Sequence, residues 1–336
     1  MKQEEHKWNE KLWKPIIRPQ RYSYQLSGLG SESFMVQGII VKRFDFTIKN
    51  NRNLILQCSL FEPIKLMDKP HPCIIYLHGN SGSRIESHSI IDYVIPSYIS
   101  VCGIDLSGSG QSQGEYISLG YWESQDVQCL YNYLREEKVF INITSIGLWG
   151  RSMGSATAIL AARENPNIRV LVCDSPFSNF YMLCQDLAKS RYHIPKCFFN
   201  CCWCFIKSKI QKEANFNLDD LNLLSIVQTL QNDLLIIFLQ AKQDELIQNK
   251  HASLLMENFR GKKTLLSFDG THNSIRPKEV MEQSVELIKK EFGFLSWNQT
   301  SFQKEIKLSS RNSSVNAPLL RASKTSIVPQ TEDTEQ

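Results

Sequence analysis

The sequence has no long apolar run. Nothing in it approaches the roughly 18 consecutive uncharged apolar residues that a membrane span needs. Its start, MKQEEHKWNEKLWK, carries charges of both signs and lacks the apolar centre of a signal peptide. Net charge is also scarce. The 38 Lys and Arg against 34 Asp and Glu leave +4 over 336 residues, with no dense basic stripe, so nucleic acid is not an expected partner. No internal repeat is visible. The C-x-x-C at Cys201 and Cys204 has no second such pair, which argues against a four-cysteine zinc site. Without a secretion signal the ten cysteines are expected as thiols in a reducing compartment. The protein therefore reads as cytoplasmic, and a sequon such as Asn142-Ile-Thr carries no weight.

What is present is ordinary globular composition, 42% hydrophobic and 21% charged, enough to bury a sizeable core. Residues 36–50 and 53–63 alternate apolar and polar around an Asn-rich turn and predict an antiparallel pair. Short continuous apolar runs follow at 73–78, 98–105, 145–150, 168–174, 234–240 and 264–268, the signature of strands buried on both faces. Helical spacing appears at 120–138, 152–164 and 277–292. Strands alternating with helices predict an α/β fold with a mainly parallel sheet covered on both sides. The aromatic and cysteine-rich stretch at about 178–232 interrupts the rhythm and reads as a cap inserted over the sheet. Residues 1–30 read as an N-terminal extension and 31–297 as the domain. Residues 298–336, Ser/Thr-rich and without apolar period, read as a disordered polar tail.

Functional groups of open parallel sheets gather at the carboxyl ends of the strands, so the polar residues just after each run carry the argument. After 73–78 comes His78-Gly79-Asn80-Ser81-Gly82, a loop whose backbone N–H groups can turn toward one point. After 145–150 comes Gly150-Arg-Ser152-Met-Gly154, where an apolar run gives way to small helix formers. After 234–240 comes Asp244, and after 264–268 comes Asp269-Gly-Thr-His272. The order is N–H loop, serine, acid, histidine, that of hydrolases built on a Gly-x-Ser-x-Gly elbow. On these motifs the sequence resembles the α/β-hydrolase superfamily, near its serine-aminopeptidase and monoacylglycerol-lipase-like branch and its intracellular depalmitoylase-like members. The resemblance spans roughly 30–295 and includes Asp105-Leu-Ser-Gly-Ser-Gly-Gln-Ser112 and Asp174-Ser-Pro-Phe-Ser178.

The resemblance implies Ser152 as nucleophile, Asp244 as acid and His272 as base, with the N–H groups of Asn80 and Met153 forming an oxyanion hole. It implies hydrolysis of an ester, thioester or amide through an acyl-enzyme, with no cofactor and no metal, on a small-molecule or acyl substrate. The alternative is a catalytically silent hydrolase-like scaffold that binds a partner. Asp174 is a second candidate for the acid; Glu245 is adjacent to Asp244, and Asp269 is too near His272 in sequence to approach its ring easily. Asp105 reads as a loop-shaping residue, His78 as a brace for the N–H loop, and His193 and His251 as structural or surface residues. The segment Lys196–Ile206 reads as an apolar cap helix whose Phe198 and Trp203 would shape an acyl pocket. A second reading makes 197–206 a membrane-touching or acylated patch, since Phe198, Phe199, Trp203 and Phe205 stand beside Lys207 and Lys209. Oligomeric state has no signature in the sequence.

Overall fold

The computed structural model of the chain describes residues 12–136 and 142–293. Among them, strands β1 (Ser33–Val36), β2 (Ile39–Lys49), β3 (Ile55–Pro63), β4 (His71–Leu77), β5 (Ser100–Ile104), β6 (Ile143–Arg151), β7 (Val170–Asp174), β8 (Leu235–Ala241) and β9 (Lys262–Phe268) form one sheet. The order across it is β1-β2-β3-β5-β4-β6-β7-β8-β9. The β1–β2, β2–β3 and β3–β5 pairings are antiparallel, and every pairing from β5 to β9 is parallel. The sheet is thus mainly parallel, as the alternating apolar runs predict. Strand β1 escapes sequence reading because it is four residues long with a single buried position, Val36.

Strands β4, β5, β7 and β8 are buried at every position because both their faces are covered, whereas β9, expected to be buried on both faces, is the edge strand of the sheet and buries only Phe268. Cys73, Ile75 and Leu77 of β4 join Leu148, Leu171 and Phe238 in one core, while Ile74 and Tyr76 join Trp149, Val172 and Ile237 in the other. Helix α1 (His88–Val94) covers the second core through Ile90, Ile91 and Val94. The first core is covered by α2 (Tyr121–Glu136) and α3 (Met153–Glu164), through Leu130 and Ile159 among others. Helix α3 is buried from Met153 to Ala162 without a polar face, which its Ala and Gly content permits.

Between β7 and β8 lie α4 (Phe180–Tyr192), α5 (Lys196–Ala214) and α6 (Leu223–Val227), where the cap is expected. Then come α7 (Lys250–Asn258) and α8 (Lys278–Glu291), and α8 lays Val280, Met281, Val285 and Ile288 on the second core. The described part of the expected N-terminal extension is packed rather than free. Trp13 and Ile17 are buried in the first core, and Tyr24 hydrogen-bonds to Asp105. The chain divides into one compact unit ending at Phe292 and a second starting at Gly293; the polar tail expected at 298–336 lies outside the described residues.

Candidate active site

The strand order reverses around β4: β5 lies on one side of it and β6 on the other. Loops leaving β4 and β6 at their carboxyl ends therefore diverge and leave a crevice, the usual position of a site in such sheets. The His78 loop leaves β4, and Ser152 follows directly on β6.

The glycines around Ser152 follow from packing. A Cβ on Gly150 would lie 2.1 Å from the Gly154 carbonyl oxygen, and a Cβ on Gly154 would lie 2.0 Å from that of Leu77. The start of α3 is thus pressed against β4 and β6 with no room for side chains. Ser152 pays for this turn with φ 53 and ψ −114, a conformation that costs a non-glycine residue about 1–3 kcal/mol. Its own N–H is held by the Asp174 carbonyl at 2.8 Å, and Ser155 Oγ donates to the Gly150 and Asp174 carbonyls. Met153 N is one of the first donors of α3, which the helix itself leaves without partners.

The β4 loop is braced from behind. His78 is fully buried, its Nε2 accepts from Leu106 N at 3.1 Å, and its Nδ1 lies 2.8 Å from the Gly79 carbonyl. A ring with its proton on Nδ1 satisfies both contacts. Ser81 turns the loop at φ 61, leaving Asn80 exposed. The loop also approaches the elbow, since a Cβ on Gly79 would lie 3.9 Å from Ser152 Cβ. Asp105 is fully buried and accepts from Arg84 N, Tyr24 Oη and Gln111 N, so it shapes the neighbouring loop.

Asp244 and His272, 28 residues apart, meet at the ends of β8 and β9. His272 Nδ1 lies 2.8 Å from Asp244 Oδ2, and both side chains are buried. Asp244 Oδ1 accepts from Ile247 N at 2.7 Å and Leu246 N at 3.0 Å. Burial alone would raise the Asp244 pKa, but the His272 hydrogen bond, those backbone donors and the His272 charge outweigh it and leave the carboxyl below its usual range. With Nδ1 donating to Asp244, the ring presents the Nε2 lone pair on its other side.

The rival carboxylates are engaged elsewhere. Asp174 takes the Arg276 guanidinium on both oxygens, Nε to Oδ2 and Nη2 to Oδ1, each at 2.8 Å. Asp269 is exposed and pairs with Lys242 at 3.1 Å, and Glu245 is exposed. Sequence reading misses what Arg276 and Arg151 do. Arg276 Nη1 donates to the carbonyls of His272 and Ser274, tying the histidine loop to β7. Arg151 Nη2 donates to Asn273 Oδ1 at 2.7 Å, and its Nη1 lies 3.7 Å from Glu86, which accepts from Gly79 N. Arg151 therefore links serine strand, N–H loop and histidine loop. Its place inside the elbow motif was the available signal.

His193 ends α4 in the left-handed conformation, and His251 is buried against Ser178 and Asp186. In α4 and α5, the stretch expected as a cap, Trp203 packs against Phe180, Tyr181 and Phe199. Phe198 is 60% exposed and points away from that cluster, so it does not share the pocket-shaping position expected for it beside Trp203. Among the described residues no group of three or more His, Cys, Asp or Glu is arranged to hold a metal.

Residues 68–194 match the family described as "Serine aminopeptidase, S33", a stretch that takes in the β4 loop and elbow and ends before Asp244. The backbone resembles the esterase Pf2001 of Pyrococcus furiosus, with a TM-score of 0.63 and 18% identity over 82% of this chain and 98% of that one. The chain thus has the α/β-hydrolase fold. It is similar to "Lysophosphatidylserine lipase ABHD12" of Danio rerio, 31% identical over 122 residues, which are 34% of this chain and 30% of that protein. It is also similar to human "Protein ABHD12B", 28% identical over 118 residues, 33% of this chain and 31% of that one. The matched stretch thus spans under a third of those relatives.

Proposed function

We propose that the chain is a serine hydrolase that cleaves a carboxylic ester or thioester carrying an apolar acyl group. Ser152 attacks the carbonyl carbon while His272 Nε2 takes its proton, because a serine hydroxyl is a poor nucleophile at neutral pH. Asp244 fixes the ring and stabilises the imidazolium without being protonated itself. The N–H groups of Met153 and Asn80 receive the oxyanion, whose full charge exists only in the tetrahedral intermediate, and so lower the barrier selectively. His272 then protonates the leaving group, and water hydrolyses the acyl-enzyme by the same route. No step needs a metal or organic cofactor.

The observation that carries this reading is the buried 2.8 Å contact of His272 with Asp244, on a loop that Arg151 ties to the strand end carrying a serine held at positive φ on a crowded elbow. The preference for acyl groups rests on the aromatic composition of α4 and α5 and on the similarity to a lipase and an esterase. The test is labelling of the purified chain with a fluorophosphonate, peptide mapping of the labelled residue, and turnover of a panel of acyl esters of increasing length. Label on Ser152 and a preference that changes with chain length are expected. Label elsewhere, or none alongside no turnover of any ester, would return the chain to a binding scaffold.

A further inference from the structure

Helix α5 carries two stripes of identical spacing. Phe199, Trp203, Ile206 and Ile210 are buried, while Cys197, Cys201, Cys204 and Ser208 are exposed. Each set runs i, i+4, i+7, i+11, and an offset of two residues puts the sets on opposite faces of the helix. Core packing accounts for the inner stripe. It does not account for the outer one, because cysteine is among the residue types most often buried. Four of the ten cysteines, Cys58, Cys73, Cys102 and Cys173, do sit in the core, and the three exposed ones all fall on this stripe. Helical geometry puts those three thiols within an arc of about 60° and a length of about 10 Å.

The surroundings point to one partner. Phe198 is 60% exposed in the same turn as Cys197, and Tyr192, at the end of α4, is 70% exposed. No charged residue lies between Lys196 and Lys207. Residues 189–212 contain Lys189, Arg191, Lys196, Lys207, Lys209 and Lys212, and no Asp or Glu. Thiols and exposed aromatics flanked by basic residues, on a helix whose other face is anchored in protein, suit the boundary of an anionic bilayer. No helix among the described residues is long and apolar enough to cross a membrane, so this face would engage one leaflet.

We propose that Cys197, Cys201 and Cys204 are S-acylated and that the acylated outer face of α5 rests on an anionic membrane. The acyl donor is a long-chain acyl thioester of coenzyme A. The cysteine sulfur attacks the thioester carbonyl, a new C–S bond forms, the donor's C–S bond breaks, and coenzyme A leaves as its thiol with the cysteine's proton. One chain binds a membrane only marginally, whereas two or more hold firmly, which gives a cluster of three thiols a purpose that one would not have.

The test uses the full chain in a Ser152→Ala background, so that the hydrolysis proposed above cannot strip acyl groups and the two proposals fail separately. The protein is incubated with palmitoyl-coenzyme A and vesicles of phosphatidylcholine and phosphatidylserine, then mapped by peptide mass and floated with the vesicles. Acyl groups on Cys197, Cys201 and Cys204, with the half-buried Cys129 free, are expected. Flotation should be lost in a Cys197→Ser/Cys201→Ser/Cys204→Ser variant and reduced several-fold with vesicles lacking phosphatidylserine. Protein of unaltered sequence, its exposed thiols first capped with iodoacetamide, provides the same comparison without relying on the variant's folding. Absence of acylation, equal acylation of Cys129, disulfides in place of thioesters, or flotation that survives loss of the three thiols would each overturn the proposal.

Discussion

The strand-end rim and the cap are built by different means. At the rim, position is enforced by backbone against backbone: Gly150 against Gly154, Gly154 against Leu77, Ser152 N on the Asp174 carbonyl. In the cap, position comes from side chains filling space, with Trp203 among Phe180, Tyr181 and Phe199. Backbone contact admits few residues, so the rim leaves a motif in the sequence. Apolar packing accepts many residues of similar volume, so the cap leaves only a composition. Substitutions at the rim should therefore be felt in chemistry, and those in the cap in stability and selectivity.

The largest effect is expected at the elbow. Ser152→Ala should remove fluorophosphonate labelling and lower turnover by on the order of 10⁶, the scale of losing a triad nucleophile. Undiminished labelling would dissociate the elbow from the chemistry. Next, Asp244→Asn should lower turnover by roughly 10⁴, through loss of the productive ring tautomer. Asp174→Asn should act otherwise, because its partner is a guanidinium and not the ring. It leaves Arg276 buried beside a neutral amide, at a stability cost on the order of 3 kcal/mol, while turnover of the folded fraction changes far less. Turnover and thermal melting of both variants decide the matter, and a larger catalytic loss for Asp174→Asn would make it the acid.

These residues also mark how far the sequence could be read. Strands β4, β5, β7 and β8 were legible because burial on both faces leaves them mostly apolar, and β6 nearly so, whereas the edge strand β9 was marked only by Leu265, Leu266 and Phe268. Ser152, Asp244 and His272 stood out as candidates because each follows an apolar run. That Asp244 and not Asp174 contacts His272 was less legible, since both follow strands and the difference lies in Arg276, a residue with no motif. Arg151 and Glu86 act across three loops, and nothing local in a sequence records that. The two faces of α5 were blurred for another reason: aromatic residues fall on both, and composition does not say which ring is inside.

Trp203 and Phe198 separate those faces. Trp203 is buried, and Trp203→Ala should cost about 3–5 kcal/mol. Phe198→Ala removes an exposed ring and should change stability by no more than about 0.5 kcal/mol. Denaturant melts of the two variants check this, and a Phe198→Ala loss approaching that of Trp203→Ala would mean the outer face is covered in the native protein. In the ester panel, Trp203→Ala alone should flatten the chain-length profile, with a short acetyl ester still cleaved.

The smallest effect joins the two regions. His251 is fully buried on α7; its Nδ1 accepts from Ser178 Oγ at 2.8 Å and from Ser178 N at 3.3 Å, which leaves the ring proton on Nε2, 3.3 Å from Asp186 Oδ2 on α4. Lys250, itself paired with Asp186, and Asp244 are the other charges facing it. Burial lowers its pKa below the usual 6.5, Asp186 and Asp244 pull upward, Lys250 pushes down, and the net direction is down. The unfolded chain therefore takes up a proton on this histidine at a pH where the folded chain does not. The resulting stability is complete above the ordinary histidine pKa and is lost as pH falls below it through the folded value. Asp244, whose carboxyl is held below its usual range, loses its contribution as pH falls below 3.8. Melting temperature should drop between about pH 7 and about pH 5, where histidines titrate, and a His251→Gln variant should show a shallower slope over that interval. Ser178 and Asp186 join the strand exit to α4, so the protection of amides in α4, corrected for the slower intrinsic exchange, should fall on acidification before that in β6 or β7. An identical slope in the variant would mean that another group controls acid stability and that the cap is held to the sheet by packing alone.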